Sequence, residues 1–177
     1  MKIEITKPYL DGQEIEAVSS VISSGWVSQG PVVAEFERIF ADYAGARHAI
    51  ATTSCTTALH AALAVSGIGK GDEVIVPSLS FIATANSVVH SGATPVFADI
   101  DPETCNIAPH MIEPLITKKT KAIMPVHQMG LPADIDAIKA ITERHGLIII
   151  EDAACAIGSE YKGKKIGGHE NLACFSF

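Results

Sequence analysis

Leu147-Ile148-Ile149-Ile150-Glu151-Asp152-Ala153-Ala154-Cys155 sets four aliphatic residues ahead of two acids. Three of the four are β-branched, and an unbroken apolar run of this length reads as a strand covered on both faces, as in a parallel sheet. The acids fall at its carboxyl end, where open α/β sheets bind their ligands. A carboxylate withdrawn from water at such a place needs a cationic partner.

Working outward, helix and strand signals alternate. Asp11 followed by Glu14 forms a capping box for a helix through Ser23, stopped by Gly25. Pro31 opens a second helix to about Ala44, ended by Gly45. His48–Thr52 reads as a strand, Thr53–Thr57 as a polar turn and Thr57–Ser66 as a helix before Gly67. Strands are expected at Glu73–Val76, Pro95–Ile100 and Lys121–Val126. Helices are expected at Ile82–Ser91 and from Pro132 and Asp134 to His145. Tyr161–Lys165 has the pattern of a hairpin turn, and Phe175-Ser176-Phe177 that of a strand with alternating faces. Strand, helix, strand in this order implies an α/β fold with a mostly parallel sheet and helices on both faces.

The bulk properties narrow the function. With 177 residues, 47% hydrophobic and 19% charged, the chain can bury a core. A net charge of −7 argues against nucleic acid or an anionic membrane as partner, so any phosphate must be held by local donors. The opening Met1–Thr6 carries charges where a signal peptide has its apolar core, and no apolar run nears the roughly 18 residues of a membrane span. Cys55, Cys105, Cys155 and Cys174 are scattered, which suits reduced thiols in the cytoplasm. The seven histidines show no metal-ligand spacing, so no metal is expected.

Several positions could carry chemistry. Thr53-Ser54-Cys55-Thr56-Thr57 joins a strand to a helix, where free N–H groups and hydroxyls bind phosphate; plain capping by Ser or Thr is the other reading. Phe81 follows the Glu73 strand, placed either to stack on a flat ring or to fill the core. Asp152 and Cys155 face the crevice beyond the sheet, whereas Glu151 points to the opposite face as a structural acceptor. A protonated pyridine nitrogen would suit Asp152 as the cation it needs. His127, at another strand's carboxyl end, either meets a ligand or is a hydrogen-bonded structural residue. Lys162, Lys164 and Lys165 sit at a hairpin tip and read as solvated charge.

In order and spacing, the chain resembles the DegT-type sugar-nucleotide aminotransferase family of fold-type-I pyridoxal phosphate enzymes. The resemblance runs through Ser24-Gly25-Trp26, Gly30-Pro31, Thr56-Thr57-Ala58-Leu59-His60 and Gly71-Asp72-Glu73-Val74-Ile75-Val76-Pro77. It continues through Phe81, Ala83-Thr84-Ala85-Asn86, Gly92–Phe97, Pro125-Val126-His127, Gly130, Pro132-Ala133-Asp134, Glu151–Ala154, Tyr161-Lys162-Gly163 and Phe175–Phe177.

The resemblance implies a three-layer large domain, incomplete in this chain. Residues 1–30 would form a helix-and-loop arm, residues 31–177 part of the cofactor-binding domain, and the C-terminal small domain would be absent. Thr56, Thr57 and Ser176 would hold the pyridoxal phosphate group, Phe81 would stack on its ring and Asp152 would pair with the ring nitrogen. Cys155 stands where a Gln or His usually meets the ring hydroxyl, and Cys55 where a Gly is usual; if that position needs a positive φ, Cys is strained there. Trp26 and Gln29 would border the substrate pocket, although Trp26 also suits simple packing. The Schiff-base lysine would lie beyond Phe177, so the 177-residue piece alone is expected to be inactive and unstable.

The implied activity moves an amino group, from glutamate, to a keto sugar nucleotide for polysaccharide or amino-sugar synthesis, in a homodimer. The alternatives are a pyridoxal phosphate-dependent sugar dehydratase on the same scaffold and a non-catalytic truncated product.

Overall fold

The computed structural model describes residues 7–177, so the reading of Met1–Thr6 lies outside the described residues. The first helix, α1 (Gly12–Ser24), starts at the expected capping box: the Asp11 carboxyl accepts from the Gln13 amide at 2.8 Å and Glu14 accepts from the Asp11 amide at 2.7 Å. Its end at Gly25 has φ of 73°, a left-handed cap that a residue with a Cβ resists. Next, α2 (Pro31–Ala44) begins on the expected proline and ends before Gly45. Then come α3 (Cys55–Val65), β1 (Glu73–Pro77), α4 (Ala83–His90), β2 (Thr94–Ala98), β3 (Thr120–Ile123), α5 (Ile135–His145) and β4 (Ile148–Asp152). The hairpin strands β5 (Glu160–Tyr161) and β6 (Lys164–Lys165) and the short β7 (Leu172–Cys174) complete the order.

Five strands form one parallel sheet in the order β2-β1-β3-β4-β7. The winding reverses between β1 and β3, and such reversals open a crevice at the carboxyl ends of the strands. Side chains alternate along each strand and supply two cores. Val74, Val76, Met124 and Ile150 pack with Leu59, Leu63 and Val88 under α3 and α4. Ile75, Ile123 and Ile149 pack with Ile138 and Ile141 of α5 on the other face. Helices on both faces make three layers. Ile150 is fully buried, so truncating it to Ala would cost about 2–5 kcal/mol.

Continuing this alternation positions the two acids. Asp152 shares the parity of Ile150 and faces α4, where it meets Thr84. Glu151 shares the parity of Ile149 and faces away, where it meets His127 and Asn171. The chain after β7 leaves the ladder, yet Phe175 and Phe177 keep their alternation. Both rings lie edge-on to Phe40 of α2, at 5.0 and 5.1 Å between centroids, and Phe177 also meets Phe36 at 5.0 Å.

Four expectations need correction. His48–Thr52 forms no strand: Ile50 is 81% exposed, and the Ala51 amide donates to the Glu37 carboxyl at 2.8 Å instead of to a neighbouring strand. An apolar run becomes a strand only where a ladder partner lies beside it. Secondly, α3 starts two residues earlier than read, because Ser54 supplies its cap, so Thr56 and Thr57 lie inside its first turn. Thirdly, β3 ends at Ile123, and Val126 contributes only an isolated bridge to Asp152. Finally, Phe175–Phe177 lies outside any strand. The hairpin is as read, with Lys162 at φ 51° and Gly163 at φ 78°, the two positive values of a type I′ turn.

Candidate active site at the carboxyl ends of the parallel strands

Asp152 closes β4 and is 4% exposed. Its Oδ2 accepts from the Thr84 hydroxyl at 2.7 Å, and its Oδ1 accepts from the Ala154 amide at 3.2 Å. Burial pushes its carboxyl above the usual range, and these two hydrogen bonds offset that only in part. No ion pair among the described residues involves it. It is a buried acid without a cation.

The amino end of α3 adjoins this acid. Ser54 caps the helix, its Oγ accepting from the Thr57 amide at 3.2 Å, while the Thr57 hydroxyl lies 3.0 Å from that of Ser54 and 3.2 Å from that of Thr53. The amides of Cys55 and Thr56 then stand in the first turn, where no intrahelical acceptor exists. Cys55 has an ordinary helical backbone, so the expected strain is absent. Burial, and then the nearby charges of Asp152 and Cys155, push its thiol up to about 12. Those neighbours bring the start of α3 and the end of β4 together. Burial pushes the Cys174 thiol up to about 12 as well. Neither thiol is a nucleophile near neutral pH.

Phe81 lies in the turn between β1 and α4 and is 78% exposed, so it fills no core. Its carbonyl accepts from the Thr84 amide at 3.2 Å. Cys155 is exposed in the turn after β4. Ser176 is exposed between the two Phe rings that rest on α2. Trp26 is half exposed in the loop before α2; its indole Nε1 donates to the Gln29 carbonyl at 3.1 Å, and a Cβ at Gly30 would overlap that indole. Among the described residues, the hydrogen bonds of Trp26 and of the Gln29 carbonyl stay between Ser24, at the end of α1, and Gln29.

His127 lies beneath the crevice, with no exposed surface. Its Nδ1 accepts from the Ala133 amide at 3.0 Å, which leaves the ring proton on Nε2, 2.8 Å from Glu151 Oε2. Asn171 donates to the other Glu151 oxygen at 2.8 Å. Both ring nitrogens are engaged in this closed group, so ligand contact by His127 would need the group to open. Nearby, Asn106 accepts from the Gln128 amide and donates to the Leu131 carbonyl, and Gln128 Nε2 donates to the Leu79 carbonyl across the reversal of the sheet.

The reading of residues missed Thr84 and Ser80. Their hydroxyls lie 2.6 Å apart beside Asp152. A Ser and a Thr four apart at the start of a helix, just after a strand, was the available signal. The acid they serve is 68 residues away in sequence.

The chain as a whole is similar to known proteins. GDP-perosamine synthase from Caulobacter vibrioides is 52% identical over 177 residues, a match that spans 99% of this chain and 48% of that protein. DesV from S. venezuelae, solved in complex with a ketimine intermediate, superposes with a TM-score of 0.91 and 43% identity over 93% of this chain and 44% of DesV. NtdA from Bacillus subtilis, solved with bound cofactor PMP, superposes with a TM-score of 0.81 and 40% identity, covering 84% of this chain and 35% of NtdA. The chain thus spans about half the length of the curated relatives it matches. Residues 8–177 match the DegT/DnrJ/EryC1/StrS aminotransferase family, and with so nearly all of the chain matched, this protein belongs to that family.

Proposed function

We propose that this chain carries the pyridoxal phosphate site of an enzyme that moves an amino group, from glutamate, to the keto carbon of a nucleotide-linked sugar. One observation carries the reading: Asp152 is a buried acid at the carboxyl end of β4 with no cation beside it among the described residues. A pyridine ring protonated at nitrogen supplies that cation. The surroundings fit the rest of the group. The open first turn of α3 and the hydroxyls of Thr56, Thr57 and Ser176 suit the phosphate, as a helix N-terminus does generally. The exposed Phe81 ring suits a flat partner.

Bound there, the cofactor would supply a ring that accepts electrons from the substrate carbon. The chain's own part is positioning and proton control. Asp152 holds a proton on the ring nitrogen and becomes fully ionised in doing so, because the new cation reverses the effect of burial. Phe81 would cover one face of the ring and exclude water from it. Cys155, an exposed and weak hydrogen-bond partner, would serve the ring hydroxyl poorly, a contact that a water could make in its place. Trp26 and Gln29 border the sugar nucleotide. The same reading carries a cytoplasmic homodimer, and no helix of the described residues is long and apolar enough to cross a membrane.

The full-length protein should take up pyridoxal phosphate and, given glutamate alone, release one 2-oxoglutarate per site. A keto sugar nucleotide should then receive the amino group. A full-length protein that binds no pyridoxal phosphate overturns the reading.

A further inference from the structure

Two hydroxyls outside the cofactor contacts named above converge on Asp152. Thr84 is 1% exposed in the first turn of α4, and its Oγ1 lies 2.7 Å from Asp152 Oδ2. Ser80 Oγ lies 2.6 Å from the same Thr84 oxygen. A hydroxyl has one proton. With Asp152 ionised, Thr84 gives its proton to the acid, and Ser80 must be the donor to Thr84. The direction of the chain is therefore fixed: Ser80 to Thr84 to Asp152. Thr84 also holds the turn ahead of it, since its amide donates to the Phe81 carbonyl at 3.2 Å. Among the described residues, Asp152 Oδ1 keeps only the 3.2 Å bond from the Ala154 amide, so it is the oxygen with capacity to spare for a ligand.

We propose that Thr84 is a positioning residue: its hydroxyl fixes one oxygen of Asp152, leaves the other for the ring nitrogen, and through Ser80 keeps the acid in register with the turn that presents Phe81. This rests on the reading of Asp152 as the partner of the ring nitrogen. The hydrogen bonds to Asp152 and Ser80 hold the hydroxyl in this direction before a ligand arrives. Backbone and hydroxyl of one residue thus set both the acid at the ring edge and the aromatic at the ring face. Ser87, also buried on α4, donates to the Thr84 carbonyl at 2.8 Å and steadies the same turn.

The test uses the full-length protein in two forms. In the apoprotein, the Asp152 carboxyl is titrated by carbon NMR; separately, the dissociation constant for pyridoxal phosphate is measured by fluorescence. Thr84→Val keeps the shape and removes the hydroxyl. It should move the Asp152 titration to higher pH and weaken cofactor binding about tenfold or more. Thr84→Ser should restore both, which a packing role for the methyl group would not. Ser80→Ala should change both in the same direction by less, and it decides the matter if Thr84→Val fails to fold. Wild-type titration and affinity in Thr84→Val, or in Ser80→Ala when Thr84→Val is unfolded, overturn the proposal. So does failure of Thr84→Ser to rescue. If the wild type binds no pyridoxal phosphate, the functional reading falls, while the apoprotein titration still decides whether Thr84 governs Asp152.

Discussion

Glu151 and Asp152 are adjacent, both buried, and unlike. Glu151 has a donor on each oxygen, His127 on one and Asn171 on the other. Asp152 has one hydroxyl, one backbone amide and, among the described residues, no cation. Each oxygen of either acid accepts one hydrogen bond; the difference is that Glu151 takes both from side chains at 2.8 Å, whereas Asp152 Oδ1 takes a 3.2 Å bond from a backbone amide and burial holds its carboxyl above the usual range. Burial alone therefore does not mark a functional acid; unmet demand does. A structural acid is one whose partners the chain has already supplied, and a ligand-binding acid is one whose last partner must come from outside.

The largest test of this contrast is Asp152→Asn. It should leave the fold intact and reduce kcat/KM of the full-length protein about 100-fold or more, the usual loss when one member of a buried charge pair is removed. A variant with near-normal turnover would break the comparison. Glu151→Gln should do the reverse. Its new amide group would face a donor from either His127 or Asn171, leaving one buried donor unpaired at a cost of about 1–3 kcal/mol. The melting temperature should fall while affinity for pyridoxal phosphate holds.

The third test is pH. The folded Asp152 titrates above its ordinary value of 3.8, so the folded apoprotein holds that proton more tightly than the unfolded chain does. This contribution favours folding in acid and is lost as pH rises from 3.8 through the raised folded value. Melting temperatures of apoprotein and Asp152→Asn should therefore converge or cross as pH rises from about 4 to 7. Curves that stay parallel would mean that Asp152 is not desolvated. The smallest effect belongs to Lys162→Ala. Lys162 pairs with Asp136 at the exposed hairpin, and its loss should leave both melting temperature and activity unchanged within error.

What the sequence made legible was local. The Asp11–Glu14 box, Pro31 and the glycines at 25 and 45 act within a few residues, and they bound α1 and α2 in the structure as the sequence pattern implies. The alternation of β4 likewise separated Glu151 from Asp152. What stayed hidden was non-local. His48–Thr52 has a strand's composition, but composition does not reveal whether a neighbour lies alongside. Thr84 looked like an unremarkable residue near a helix start, because its importance comes from an acid on another strand. The worry over Cys55 needed a backbone angle, and that angle is ordinary.

The strict alternation of β4 has a consequence for how its gene can change. Adding or deleting one codon within Ile148–Glu151 would swap the two acids between faces, handing the closed His127 pocket an aspartate and the crevice a glutamate. Two codons at once would restore the parity. Length variation in this strand should therefore come in even steps, even where any individual apolar residue can be exchanged for another.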